Sequence, residues 1–235
     1  MPTVSVRLAS SMSAAPLPPS LLALPVPRDK RRRPEDPILV PLEQLRPTQG
    51  AVGMKAVAAK REKVARRAEC SRKIERYLEK RPIPAVLGPG AGYYIIDHHH
   101  LSMALHQNEV AEAFVRVIGD LSRLPRGEFW RRMAERGCLH PYDHHGRRIH
   151  PSALPSAIRH LKRDAYRDLS WSVREAGGFV KSDQPYAEFR WAQFFRSRLP
   201  RTTVLRDFEF AHDRGMMLAR SEAAAHLPGF IGIND

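Results

Sequence analysis

The sequence predicts an α+β chain: a small mixed sheet with its own helices, followed by a helical C-terminal part. Three observations point there. Short runs of β-branched and aromatic residues, punctuated by proline and glycine, recur through residues 37–122. Apolar residues at helical spacing dominate from about residue 123 onward. The chain has 235 residues, enough to bury a substantial core.

Residues 1–36 read as a disordered tail. Pro16, Pro18, Pro19, Pro25 and Pro27 interrupt its small and apolar residues, which leaves an export signal as a minor alternative to a cytoplasmic chain. Arg28, Lys30, Arg31, Arg32 and Arg33 form a solvated basic run that adds non-specific attraction for phosphate. An α/β domain then covers 37–122, with strands expected near 38–42, 83–87, 93–96 and 112–118. One long helix is expected from Met54 to about Lys80, with Val57, Val64, Ile74, Tyr77 and Leu78 on its apolar face. Its other faces carry Lys55, Lys60, Arg61, Lys63, Arg66, Arg67, Arg72 and Lys73. The glycines of Gly88-Pro89-Gly90-Ala91-Gly92 mark a hairpin turn and no nucleotide fingerprint, because a strand follows them and not a helix. In the helical extension, 123–235, helices are expected at 126–136, 156–163, 165–176, 186–199 and 206–225.

Composition narrows the partner. The net charge is +14 and the pI is about 10.4. Such a balance favours a polyanion, either nucleotide or nucleic acid. No apolar run is long enough to span a membrane. The two cysteines, Cys70 and Cys138, lie far apart and outside any zinc spacing, which fits a reducing compartment.

The chemistry concentrates at Tyr93-Tyr94-Ile95-Ile96-Asp97-His98-His99-His100-Leu101-Ser102. A strand runs into an acid and three histidines, and a helix begins there. A helix start offers free N–H groups and a favourable dipole to an anion. The reading is that the N–H groups of His99, His100 and Leu101 cradle a phosphate, with Ser102 beside them. One or two imidazoles contact its oxygens, and Asp97 holds Mg²⁺ or orients a nucleophile. The bland alternative is a polar cap with Asp97 as its N-cap residue. Asp-His-His also evokes a metal-dependent phosphoesterase, but the upstream acidic pair that such chemistry needs is missing.

Further residues join the list. The polar loop at 137–154 carries His140, Tyr142, Asp143, His144, His145, Arg147, Arg148 and His150. Its expected role is to face phosphate, with Arg147 and Arg148 clamping an anion; a transition-metal site is the alternative. Lys60, Arg61, Arg66 and Arg67 are candidate nucleic-acid contacts. Glu175 and Glu188 lie among aromatic residues and are candidate general bases if burial raises their pKa. Pairing with Arg174 or Arg190 is the structural alternative.

Three segments carry a resemblance: 40–49 (VPLEQLRPTQ) running to the 93–100 junction, 169–179 (LSWSVREAGGF) and 187–192 (AEFRWA). Together they resemble the ParB/sulfiredoxin superfamily, and within it the ParB-like nucleases, over roughly 38–225. The resemblance implies a ParB/sulfiredoxin-like sheet and phosphate binding at the 97–100 turn, with Thr48, Gln49 and Lys55 contacting the nucleotide in the same pocket; the bland alternative is a helix-entry turn with Thr48 as its cap. It further implies phosphoester hydrolysis or phosphoryl transfer, with a nucleotide and Mg²⁺. It also admits a non-catalytic nucleotide- or DNA-binding module, or an amino-acid kinase. The chain departs from sulfiredoxins, which need a cysteine at the turn, and from partition proteins, which place arginines after it.

Overall fold

The computed structural model describes residues 36–232. Almost all of the expected tail lies outside them. The described chain divides into two compact units. The first runs to Gly50 and includes Ala59–Asp143 and Arg148–Leu161; the second holds Ala51–Ala58, His144–Arg147 and the chain from Lys162 onward.

In the first unit, five strands form one sheet: β1 (Ile38–Pro41), β2 (Leu45–Pro47), β4 (Ile83–Gly88), β5 (Gly92–Ile95) and β6 (Glu112–Asp120). Their order is β1-β6-β4-β5-β2. β1 with β6 and β4 with β5 are antiparallel, whereas β4 with β6 and β2 with β5 are parallel. The mixed sheet agrees with the sequence reading. Pro41 and Pro47 sit on the two edge strands, where a missing N–H costs no central ladder bond. β2 went unpredicted because three residues carry no period; its parallel partner Tyr93–Ile95 makes it a strand. Under the sheet Val86, Ile118, Phe129, Met133 and Leu139 form a core with Cys138.

The expected single helix over 54–80 is two helices. α1 spans Met54–Ala68 and α2 spans Ser71–Glu79, with Cys70 extended between them (φ −138°, ψ 118°). Val64 and Ile74 are ten residues apart, which on one straight helix would set them roughly 80° apart around the axis. The break lets both be buried, together with Tyr77 and Leu78. α3 (His99–Gln107) and α4 (Arg126–Glu135) complete the helices of this unit.

In the second unit β3 (Ala51–Val52) pairs in parallel with β7 (Lys162–Arg163). The helix expected at 156–163 is therefore only a 3-10 turn, Ile158–His160, followed by that strand. α5 (Ala165–Glu175) starts where Asp164 accepts a hydrogen bond from the Tyr166 N–H at 3.0 Å. α6 (Ala187–Arg196), α7 (Arg201–Arg206) and α8 (Phe208–Ala219) follow. The helix expected at 206–225 starts two residues later and stops near Ala219, and α7 was unforeseen. Asp207 separates α7 from α8 by accepting from the Phe210 N–H at 3.0 Å. The aromatic residues Trp191, Phe194, Phe195 and Phe179 are buried together. Both cysteines are free thiols, Cys70 exposed and Cys138 buried.

Candidate functional site

The chemistry-bearing stretch of the first unit starts where β5 ends. β2 lies parallel to β5 and so delivers Thr48 beside its last residue. The Thr48 hydroxyl donates to the Ile95 carbonyl at 2.8 Å. The Thr48 N–H donates to His99 Nε2 at 3.2 Å. Thr48, Gln49, His99 and Ser102 are all buried. As an acceptor, Nε2 of His99 carries no proton, so the ring proton sits on Nδ1. His99 thus ties Thr48, just after β2, to the helix start.

His98 behaves differently. It is the N-cap of α3 and adopts left-handed backbone geometry, φ 63° and ψ 23°. Non-glycine residues rarely hold this conformation, and where they do the strain often marks a functional position. The turn it makes re-aims the chain from strand into helix. Both the N–H and the hydroxyl of Ser102 return to the His98 carbonyl, at 2.8 and 3.1 Å. The side chain is half-buried, and its Nδ1 has no hydrogen-bond partner among the described residues. Burial lowers its pKa below the ordinary 6.5, against the opposing pull of Asp97; the Lys60 charge reinforces the lowering, while Arg81 raises the pKa through a backbone hydrogen bond and lowers it through its charge. A neutral imidazole results at physiological pH.

Asp97 is not the N-cap. Its carboxylate accepts from the His98 N–H at 2.6 Å and lies 4.0 Å from His98 Nε2. Its side chain is 74% exposed. The first residues of α3 are His99, His100 and Leu101, ahead of Ser102. Leu101 is buried and His100 half-buried.

Part of the 137–154 loop joins the same unit. The His140 N–H donates to the Thr48 carbonyl at 2.9 Å, and Gln49 pairs with His140 in a parallel bridge. Tyr142 pairs with Arg148. The first unit therefore brings together Thr48, Gln49, the 97–102 turn and, through its charge on His98, Lys60. Arg61 and Arg66 lie exposed further along α1, and Arg67 stacks over the Tyr77 ring at 4.6 Å. Sequence reasoning passed over Arg81, which marks no motif.

Other expected residues belong to the second unit. The Lys55 N–H is held by Asp168 at 2.7 Å, and its ammonium lies 4.1 Å over the Phe208 ring. Arg147 falls in the His144–Arg147 segment of that unit. Glu188 accepts from Arg167 at 3.2 Å and also pairs with Arg174, which reaches Glu175 at 3.0 Å. Burial alone would raise the Glu188 pKa, but the two guanidiniums outweigh it and hold it below the ordinary carboxylate value. That runs against the raised pKa expected of a general base, because a nearby cation stabilises the charged form. Among the described residues no three His, Cys, Asp or Glu side chains gather as metal ligands. The histidine-rich loop shows no such cluster.

Residues 38–197 match the model of the family described as "Putative ParB-like nuclease". The chain belongs to the ParB-like nuclease family. It is also similar to a crystal structure of protein Atu1540 from Agrobacterium tumefaciens, with 36% sequence identity and a TM-score of 0.74. That likeness covers 84% of this chain and 100% of the other. Among curated proteins no match is found. Membership of this family points to work on nucleic acid, and no described helix is long and apolar enough to cross a membrane.

Proposed function

We propose that the chain binds the phosphate of a nucleotide or nucleic acid at the 97–102 turn and catalyses phosphoester hydrolysis or phosphoryl transfer there. One observation carries this reading: His98 is strained into left-handed geometry at the start of a buried helix, and its imidazole holds a buried Nδ1 with no hydrogen-bond partner among the described side chains. The positive end of the α3 dipole beside it favours an anion. Lys60 and Arg81 add positive charge around His98. The neutral imidazole is suited to take a proton from an attacking water or hydroxyl. His99 is a positioning residue, since its Nε2 is used by Thr48.

Asp97 is the exposed carboxylate at this turn and would hold Mg²⁺ through one oxygen. A single carboxylate fits an ion that completes its shell with water and substrate phosphate. When bound, Mg²⁺ would neutralise charge on the phosphoryl oxygens. Without it, Asp97 repels the anion that the helix start attracts.

A second reading is a binding module without turnover. It is favoured by the solvent face of α1 and α2, where Arg61, Lys63, Arg66, Arg72, Lys73 and Arg76 are exposed. Turnover assays separate the two. The chain is given ATP, CTP, single-stranded and duplex DNA, with and without Mg²⁺. Catalysis predicts product that falls by roughly 100-fold or more in His98→Ala and Asp97→Ala, with melting temperatures kept. Salt-sensitive DNA binding without product selects the binding module. Failure to bind any of them overturns both.

A further inference from the structure

The loop that reaches the first unit carries two aromatic rings that the phosphate site does not use. His140 and Tyr142 stack on one another, with ring centroids 4.5 Å apart and planes 28° from parallel. Both are half-buried. Their backbone is fastened to the site and not to a distant surface. The His140 N–H is bound to the Thr48 carbonyl at 2.9 Å, while the N–H of the same Thr48 is bound to His99. One residue therefore connects the start of α3 to the stacked rings.

The loop is also held in place from behind. The Tyr142 N–H donates to the His140 carbonyl at 2.9 Å, and the Ile149 N–H donates to the Pro141 carbonyl at 2.9 Å. Gly50 lies so close that a Cβ there would stand 2.4 Å from the Tyr142 carbonyl oxygen. Only glycine permits that approach. Arg148, bridged to Tyr142, places a guanidinium on the same strip of chain.

A ring backed by a second ring, beside an anion site and a cation, has the components of a nucleobase platform. Every base offers a π-face, so stacking on such a ring tolerates sequence. We infer that Tyr142, backed by His140, stacks an unpaired nucleobase whose phosphate lies at the 97–102 turn. The inference rests on the phosphate site proposed above and names what that site recognises beyond phosphate. The shared chemistry is a base joined to phosphate, which a free nucleotide or a single strand can supply.

The test is calorimetric binding by the full chain. The ligands are ATP, CTP and inorganic tripolyphosphate, beside oligothymidylate and the same strand without bases. Wild type binds the base-bearing ligands more tightly than their base-free counterparts. Tyr142→Ala weakens the base-bearing ligands about tenfold, the scale of one lost stack, and leaves tripolyphosphate unchanged. Tyr142→Phe keeps wild-type affinity. Gly50→Ala, which pushes on the Tyr142 backbone without removing a ring, shows the same selective loss. Whether nucleotide or strand shows the base effect identifies the source; either supports the platform. Equal affinity with and without a base in wild type overturns the platform and leaves the phosphate site standing. So does a Tyr142→Ala loss that is the same for tripolyphosphate. Absence of binding by every ligand overturns the phosphate site and the platform together.

Discussion

At the residue scale, three adjacent histidines have separate fates, decided by one backbone angle. Consecutive residues on an extended segment face opposite sides, so the triple histidine could not converge without a turn. His98 makes that turn at φ 63°, a conformation costing about 1–3 kcal/mol that surrounding structure must hold. His99 is then buried against Thr48, while His98 keeps an unpartnered nitrogen. The histidines stood out in the sequence as a candidate site, but not their division of labour, since nothing local marks which of them goes left-handed. Glu188 shows the opposite case. Its aromatic neighbours in sequence suggested a perturbed base, and partners 14 and 21 residues away made it an ion pair. Arg167 beside it is 5% exposed. Glu188→Ala therefore strands a buried guanidinium and lowers stability by about 1–3 kcal/mol. Urea midpoints read this directly, and Glu188→Gln, which keeps an acceptor, loses less. An unchanged midpoint would return Glu188 to the list of catalytic acids.

At the element scale, long periodic segments were readable and short ones were not. α4, α5 and α6 fall where apolar spacing placed them, because each buries one stripe against a core. β2, β3 and β7 have two or three residues, too few to show a period; pairing partners far along the chain create them. The break between α1 and α2 has the same origin, since core geometry and not propensity turns the chain at Cys70. The basic face survives that break. Lys60, Arg61, Arg66 and Arg67 lie along α1, with Arg61 and Arg66 exposed, Lys60 and Arg67 half-buried, and the Lys60 charge acting on His98. If α1 follows a nucleic-acid backbone, replacing these four by glutamine weakens binding at low salt. It also flattens the slope of log affinity against log salt by roughly 0.7–0.9 per contact removed. Fluorescence anisotropy between 50 and 300 mM salt measures it. An unaltered slope excludes α1 from the interface.

At the scale of the whole molecule, charge couples to stability. Acidification protonates up to eleven histidines on a chain already at +14, and self-repulsion grows. His98 adds a specific part. Its pKa is depressed in the folded state by burial, with the Asp97 charge opposing and the Lys60 charge reinforcing; Arg81 acts both ways, its backbone hydrogen bond raising the pKa and its charge lowering it. The unfolded chain therefore takes up a proton near pH 6.5 that the folded chain resists, and stability falls as pH drops through that value. Unfolding free energies between pH 7.5 and 5 should decline, and His98→Gln should remove part of the slope. A slope identical in the variant would show that His98 titrates normally.

The sequence by itself determined the α+β class, the family and the basic character. Each of these rests on local pattern or composition, which the chain displays without being folded. Only the tertiary structure decided that Thr48 meets His99, that Glu188 is neutralised by Arg167 and Arg174, and that His140 and Tyr142 stand beside the turn. Those outcomes depend on contacts between residues dozens of positions apart, and such contacts exist only once strands have paired and side chains have been buried.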